Sequence, residues 1–181
     1  TVIAGCLDRD IKTAYTSQGC FINELIQNAD DQALEHSTEV NFLLVGNELI
    51  VYHTGKPFDK GDVSGISSYG NTENNRKSDD VDKSGYKDIG FKSVFRMAHR
   101  VDIISEKWQF HFSQFSPKWN GNTRIPWQIA PIWTEIHELT EIARTCALDK
   151  TRTVFVFALR DVEQVKQQLI AFTTHPEHII F

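Results

Sequence analysis

Residues 21–31 (FINELIQNADD) constrain the fold of this chain more than any other stretch, because their pattern predicts a helix with two different faces. At about 100° per residue, Glu24, Asn28 and Asp31 fall on one polar stripe, at positions i, i+4 and i+7. A broad apolar stripe lies beside and opposite it, formed by Phe21, Ile22, Leu25, Ile26, Ala29 and Ala33. The apolar stripe predicts a helix packed on a core.

The polar stripe of this helix has two interpretations. Two carboxylates and an amide could hold a hydrated cation and activate a water molecule. The alternative is a solvated helix face, which is the commoner reason for such a stripe. The helix alone leaves both open.

Size and composition exclude several classes of protein. The chain has 181 residues, enough for one domain with its own core, and a formal net charge of −5, which argues against direct nucleic-acid binding. Its three scattered cysteines argue against a disulfide framework or a zinc site and fit a reducing, cytoplasmic compartment. No apolar run has the length of a membrane span. Both ends are abrupt, which predicts a fragment of a longer protein.

The middle of the chain predicts a β-hairpin over residues 39–53, with Gly46 and Asn47 in a two-residue turn. A short helix over residues 62–69 follows, capped by Asp62. Residues 70–84 are almost wholly polar and cannot contribute a core face, so they form either a linker or a lid.

A glycine-bearing loop with Gly85 and Gly90 then leads into a helical segment over residues 91–98. Free backbone N–H groups at such a junction can bind an anion, although the signal is weak by itself.

The second half predicts an antiparallel strand pair at residues 100–105 and 108–113, and a strong strand at residues 151–159. Residues 114–133 are irregular, and we interpret Trp119, Trp127 and Trp133 as packing residues, with a base-stacking platform as the alternative. A helix over residues 134–147 should turn these residues inward: Ile136, Leu139, Ile142 and Ala143. A closing helix over residues 162–172 should be capped by Asp161.

Four stretches in this order resemble the GHKL (Bergerat-fold) ATPase superfamily, and most of all its sacsin / "no vein" branch. The first motif is residues 24–31 (ELIQNADD), and the second is residues 55–58 (GKPF), where Pro-Phe replaces a glycine. The glycine motif is residues 89–95 (IGFKSVF), and the late strand is residues 153–160 (TVFVFALR). The resemblance covers nearly all of the chain.

The resemblance implies an α/β (α+β) fold: a two-layer sandwich with helices on one face of a mixed, mostly antiparallel sheet. It further implies that residues 1–181 form one ATP-binding domain, with residues 70–90 as the lid over the nucleotide.

The same resemblance implies roles for the site residues. Glu24 would be the general base that orients or deprotonates the attacking water, and Asn28 would ligate Mg²⁺. Asp31 would support the site near the ribose or adenine, and Thr153 would hydrogen-bond near the adenine. Further ATP contacts are expected from the second and glycine motifs: His53, Gly55, Gly85, Gly90, Phe91, Lys92 and Ser93.

Two positions depart from the superfamily pattern. His53 stands where the adenine-reading aspartate belongs, and a neutral imidazole can accept a hydrogen bond whereas a protonated one cannot. Asp88 stands where the branch has a glycine, and its charge near a triphosphate would be repulsive.

We therefore expect a slow, Mg²⁺-dependent ATPase module of a larger, chaperone-like or prokaryotic-defence protein. The alternatives are a nucleotide-binding module that does not hydrolyse and an interaction module that has lost the nucleotide. Expected partners are ATP and ADP, other domains of the same protein, and a second copy in a nucleotide-dependent homodimer.

Overall fold

A computed structural model describes residues 20–34, 38–68 and 91–174. Those residues form an α+β fold with five α-helices: α1 (Cys20–Asp31), α2 (Lys60–Ile66), α3 (Val94–Met97), α4 (Glu141–Leu148) and α5 (Val162–Thr174). Short 3₁₀ helices occupy Pro117–Trp119, Trp127–Ile129 and Ile136–Glu138. None of the helices in these ranges has the length and apolar character that crossing a membrane requires.

Six strands form a single sheet: β1 (Val40–Val45), β2 (Glu48–His53), β3 (Ala98–Ser105), β4 (Trp108–Ser113), β5 (Ile132–Trp133) and β6 (Thr153–Leu159). The strand order is β1-β2-β6-β3-β4-β5. All five pairings between these strands are antiparallel, so the described sheet is not mixed as the resemblance implied. β6 inserts between β2 and β3. This strand, which comes late in the sequence, therefore lies beside the end of β2.

Two predicted hairpins are confirmed. β1 pairs with β2 through the turn at Gly46 and Asn47, and Gly46 has a φ of 59°, which glycine adopts without steric cost. β3 pairs with β4 through another short turn, in which Glu106 has a φ of 53°. Each tight turn fixes which residues lie opposite one another and therefore which face each side chain occupies.

The two faces of the sheet are covered by different helices. The main core packs α1, α3 and α5 on one face, where alternate strand residues such as Phe155 and Phe157 point. On the other face, Val154 and Val156 pack against α4 through Ala143. The predicted α+β class is confirmed and a two-layer sandwich is compatible with it, but α4 adds helical cover to the second face.

The predicted cap of α2 is wrong by three residues. The helix begins at Lys60, and Asp59 is its N-cap, accepting a hydrogen bond from the N–H of Asp62 at 3.0 Å. The carboxylate of Asp62 in turn accepts the N–H of Asp59 at 2.8 Å. This reciprocal pair is a capping box, in which the second acidic residue lies inside the helix.

The predicted helix over residues 134–147 is broken. The 3₁₀ turn Ile136–Glu138 ends at Leu139, whose backbone is extended, and α4 starts afresh after its N-cap Thr140. The break changes the phase of the apolar stripe: Leu139 and Ala143 are buried, but Ile142 is 44% exposed. By contrast, Asp161 caps α5 as predicted, accepting the N–H of Gln164 at 2.9 Å.

The tryptophans of residues 114–133 differ in their packing. Trp127 is buried and Trp119 is partly buried against the main core, as the packing interpretation expects. Trp133 is 65% exposed and its ring stacks parallel to that of Trp108, with centroids 6.2 Å apart. Its indole therefore packs on Trp108 at the surface and is not part of the core.

Candidate functional site

Helix α1 places the predicted polar stripe at the boundary between core and surface. Its apolar side is buried at Phe21, Ile22, Leu25 and Ala29, and the ring of Phe21 meets that of Phe157 edge-on at 5.5 Å. On the polar side, Glu24 and Asn28 are half-buried and Asp31 is exposed. The two-faced pattern of the sequence thus predicts the orientation of this helix, although Ala33 lies beyond its end and is exposed.

Asn28 carries a polar atom that is buried and unsatisfied. Its Nδ2 is shielded from solvent, and no hydrogen-bond partner for it occurs among the residues the structure describes. Most buried side-chain polar atoms in proteins have a partner, so such a group calls for an explanation. An amide in this state is suited to a ligand that brings acceptor oxygens.

The second motif lies directly against the C-terminal end of α1. The N–H of Lys56 donates to the carbonyl oxygen of Gln32 at 2.7 Å. A Cβ at Gly55 would lie 2.4 Å from that same oxygen, which is closer than any real Cβ contact. Only glycine permits this approach, so Gly55 is needed to hold residues 54–58, the second-motif turn, against α1.

His53 is buried at the end of β2 and oriented by the second-motif turn. The ring is 1% exposed, stacks on Phe155 with centroids 6.1 Å apart, and accepts the N–H of Gly55 at Nδ1, at 3.1 Å. Burial lowers the pKa of His53 to about 4, so the imidazole is neutral at neutral pH.

His53 belongs to a row of three buried polar side chains across the central strands, which we call the polar row. His53 lies opposite Thr153, and Thr153 lies opposite Ser105. The hydroxyls of Ser105 and Thr153 are 2.6 Å apart, and Ser105 Oγ also accepts the N–H of Phe58 at 2.9 Å. The polar row therefore anchors the second-motif turn at both ends.

Ser105 was not predicted as a site residue. Its only signal in the sequence is a polar residue at the end of an apolar strand, which many strands show. The register of β6 between β2 and β3 is what gives it a role.

Phe155 joins three of the four predicted motifs. Its ring centroid lies 6.1 Å from that of His53, and 6.0 Å from those of both Phe58 and Phe91. One aromatic cluster thus joins the second motif, the glycine motif and the late strand. Aromatic contacts of this kind rigidify the part of the core against which the polar row packs.

Lys92 and Ser93 have the surroundings of core residues. The ammonium of Lys92 donates to the carbonyl oxygens of Ile66 and of Gln128, the latter at 3.1 Å, and the side chain is buried. It thus ties the end of α2 to the 3₁₀ helix Trp127–Ile129. Ser93 Oγ is buried without a hydrogen-bond partner in the described part of the chain. Phosphate contacts by these two residues stay a prediction.

Several predicted positions lie outside the described residues. They are Gly85 and Gly90, the departing Asp88, and the lid over residues 70–90. Within the described ranges, no group of three or more His, Cys, Asp or Glu side chains is placed to hold a metal ion.

A separate cavity of about 360 Å³ lies at the other end of β4. Its walls include Phe115, Trp119 and Trp127, and none of the predicted site residues that the structure describes lines it.

Comparison with known proteins gives one partial similarity. No family model matches the chain. Among curated proteins, Protein NO VEIN of Arabidopsis thaliana is 29% identical over 109 residues, which is 59% of this chain and 4% of that protein. The chain therefore spans only a small part of this relative. The similarity points to the "no vein" branch at most and does not by itself establish the GHKL superfamily.

Proposed function

We propose that this chain is a nucleoside-triphosphate-binding module, with ATP the ligand implied by its resemblance, and that it hydrolyses the nucleotide slowly with Mg²⁺. One observation carries the proposal. The polar side of α1 carries the buried Nδ2 of Asn28, which has no hydrogen-bond partner among the described residues, and the helix ends against the second-motif turn, which the polar row anchors to the sheet. Polar groups concentrated at one edge of an apolar core are typical of a ligand site.

Asn28 fits a role at the phosphates and the metal. Its amide oxygen is a ligand that Mg²⁺ accepts, and its Nδ2, which has no partner in the described part of the chain, can donate to a phosphate oxygen. Mg²⁺ commonly takes only one or two protein ligands and completes its shell with phosphates and water, so a cluster of acidic residues is not required. When bound, Mg²⁺ would neutralise charge that develops on the phosphates.

Glu24 is the proposed general base. It lies one helical turn before Asn28 on the same stripe and is half-buried. A carboxylate in that position can orient a water molecule against a phosphate held by Asn28, and can accept its proton. Asp31, one turn further along and exposed, precedes Gln32, whose carbonyl oxygen accepts the N–H of Lys56, and is proposed to support the nucleotide near the ribose or adenine.

A module that binds nucleotide without hydrolysing it is the second candidate, and the contacts of Lys92 favour it. Its ammonium donates to two backbone carbonyls, so the chain uses this charge to hold α2 and the 3₁₀ helix Trp127–Ile129. A cation committed in this way contributes less to stabilising a transition state at the phosphates. Other domains of a larger protein and a second copy of the chain are proposed as partners by resemblance alone.

Two measurements on matched variants separate these candidates. Mg²⁺-ATP is titrated calorimetrically into the wild-type chain, Glu24→Gln and Asp30→Asn, and phosphate release is followed for each. Asp30 is an exposed acid on the same helix but off the polar stripe, so its variant removes the same charge. We expect Glu24→Gln to bind ATP normally and to release phosphate about 100-fold more slowly, and Asp30→Asn to behave as wild type.

Two other results would change the conclusion. Binding by the wild-type chain without any phosphate release selects the non-hydrolysing module. Equal phosphate release by Glu24→Gln and wild type excludes Glu24 as the base.

A further inference from the structure

The cavity of about 360 Å³ beyond β4 is formed by one stretch of chain, residues 114–128, which connects β4 to β5. We call it the tryptophan cavity, because both Trp119 and Trp127 line it. Connections of this length are uncommon in compact domains and are often functional. A cavity of about 150 Å³ takes one benzene ring, so the tryptophan cavity has room for about two six-membered rings.

Contacts with the main core hold one wall of the tryptophan cavity in place. Trp127 is buried, and its ring meets that of Phe95 edge-on with centroids 5.0 Å apart. The side chain of Gln128 is buried as well, and the carbonyl oxygen of this residue accepts a hydrogen bond from the ammonium of Lys92 at 3.1 Å. This wall is therefore part of the fold, and a ligand would meet a preformed surface.

Two other aromatic side chains of the cavity are open to solvent to different degrees. Trp119 is half-buried, and its indole N–H donates to the carbonyl oxygen of Ser113 at 2.7 Å. That hydrogen bond fixes the orientation of the ring and uses its only donor, so Trp119 offers a ligand the apolar faces of the indole. Phe115 lines the same cavity although it is 70% exposed. Exposed aromatic side chains beside a cavity are typical of a surface that a ligand covers.

The polar side chains of the tryptophan cavity are neutral. Among the described residues that line it, none is acidic or basic, and the polar ones are Gln114, Ser116, Asn122, Thr123 and Gln128. Both charged residues of the stretch, Lys118 and Arg124, are absent from its lining. A charged ligand would lose hydration there without gaining a partner of opposite charge. Amides and hydroxyls both donate and accept hydrogen bonds, as the hydroxyls of a sugar do.

We infer that the tryptophan cavity binds a neutral carbohydrate of about two sugar rings. A β-linked glucose ring presents C–H groups on both faces, which pack on aromatic rings, and hydroxyl groups around its edge, which match amide and hydroxyl side chains. A wholly apolar ligand of the same size would displace water from those side chains without replacing its hydrogen bonds. This second site does not depend on the proposed nucleotide site.

Two disaccharides that differ by one carboxylate test this inference. Cellobiose is neutral, whereas cellobiouronic acid carries a carboxylate in place of one hydroxymethyl group. Titrations of the 181-residue chain followed by saturation-transfer difference NMR should show saturable binding of cellobiose. We expect cellobiouronic acid to bind about tenfold more weakly or more. Adenosine and decaproline are titrated alongside, because nucleobases and polyproline helices also bind to aromatic walls.

Phe115→Ala tests whether the sugar lies in the tryptophan cavity. Because Phe115 is largely exposed, its removal should leave the fold intact and weaken the binding of cellobiose about fivefold. Trp133→Ala is the control, since it removes another exposed aromatic side chain, which does not line the cavity. Binding of cellobiose to this control should equal that of wild type.

The outcomes are decisive in both directions. Binding of cellobiose that is tighter than that of the other probes, and that weakens in Phe115→Ala but not in Trp133→Ala, supports the inference. Equal binding of the two disaccharides, tighter binding of adenosine or decaproline, or equal affinity of the two variants for cellobiose overturns it. Absence of cellobiose binding at about 10 mM overturns it as well.

Discussion

Gly55 offers a direct test of how the second-motif turn packs against α1, because one added methyl group would clash with the backbone at the end of that helix. In Gly55→Ala the new Cβ would lie 2.4 Å from the carbonyl oxygen of Gln32 and 3.0 Å from its carbonyl carbon. Neither atom belongs to a flexible side chain, so rotation of a rotamer cannot relieve the contact. The turn and the end of α1 must move apart by roughly 1 Å to restore ordinary van der Waals separation.

That movement breaks a second interaction, and the two costs add. A shift of about 1 Å would lengthen the present 2.7 Å hydrogen bond from Lys56 N–H to Gln32 beyond a useful distance. Overpacking costs about 1–3 kcal/mol and the lost hydrogen bond about 1 kcal/mol. We therefore expect the free energy of unfolding to fall by about 2–4 kcal/mol, and Tm to fall by roughly 5–15 °C for a domain of this size.

Urea unfolding of wild type, Gly55→Ala and Gly61→Ala measures this effect. Gly61 lies in α2, and a Cβ there would meet only the side-chain oxygen of Asp59, at 3.0 Å. Gly61→Ala should thus stay within about 1 kcal/mol of wild type, since alanine favours a helix. If Gly55→Ala unfolds within about 0.5 kcal/mol of wild type and binds nucleotide unchanged, the turn does not lie against Gln32 as described.

Two further predictions concern the polar row. Ser105→Ala should lower the free energy of unfolding by about 2 kcal/mol, because the buried N–H of Phe58 and the hydroxyl of Thr153 lose their shared partner. Ser113→Ala, which removes a buried strand hydroxyl from the end of β4 that is remote from Ser105, is the control, and equal losses in both would argue against a special role for Ser105. Burial lowers the pKa of His53 from 6.5 to about 4. As the pH falls, the imidazole of His53 therefore becomes protonated at a higher pH in the unfolded chain than in the folded chain. Stability should be fully present above about pH 6.5 and decrease towards pH 4, with His53 contributing about 3 kcal/mol of the loss. Urea unfolding at several pH values should show a smaller loss in His53→Gln; an unchanged loss would assign the pH dependence to other groups.

Local chemistry explains which elements the sequence predicts well. The faces of α1 follow from the spacing of its apolar residues, and the first hairpin follows from Gly46, because both depend on neighbours within a few positions. The sequence predicts the cap of α2 at Asp62 instead of Asp59 because both are favourable cap residues, three positions apart. It does not predict the break before α4 because the apolar spacing continues across Thr140.

The candidate site is harder to predict because its contacts are distant in sequence. Thr153 lies beside His53 only because β6 inserts between β2 and β3, an arrangement that no local pattern encodes. The same insertion gives Ser105 its partners, 47 and 48 residues away. Lys92 is expected at the phosphates, but its ammonium donates to carbonyl oxygens of residues that lie 26 and 36 positions from it. Tertiary packing determines which of these side chains are buried and with which groups they form hydrogen bonds.

Titration of the nucleotide into variants of Asn28 tests the central claim most directly. Asn28→Ala removes the amide whose buried Nδ2 has no partner within residues 20–34, 38–68 and 91–174, and Asn23→Ala removes an exposed amide from the same helix. The account predicts that a purine nucleoside triphosphate with Mg²⁺ binds wild type and Asn23→Ala equally, and binds Asn28→Ala about tenfold more weakly or more. Equal affinity in all three proteins, or no binding to the wild type at millimolar nucleotide, would contradict it.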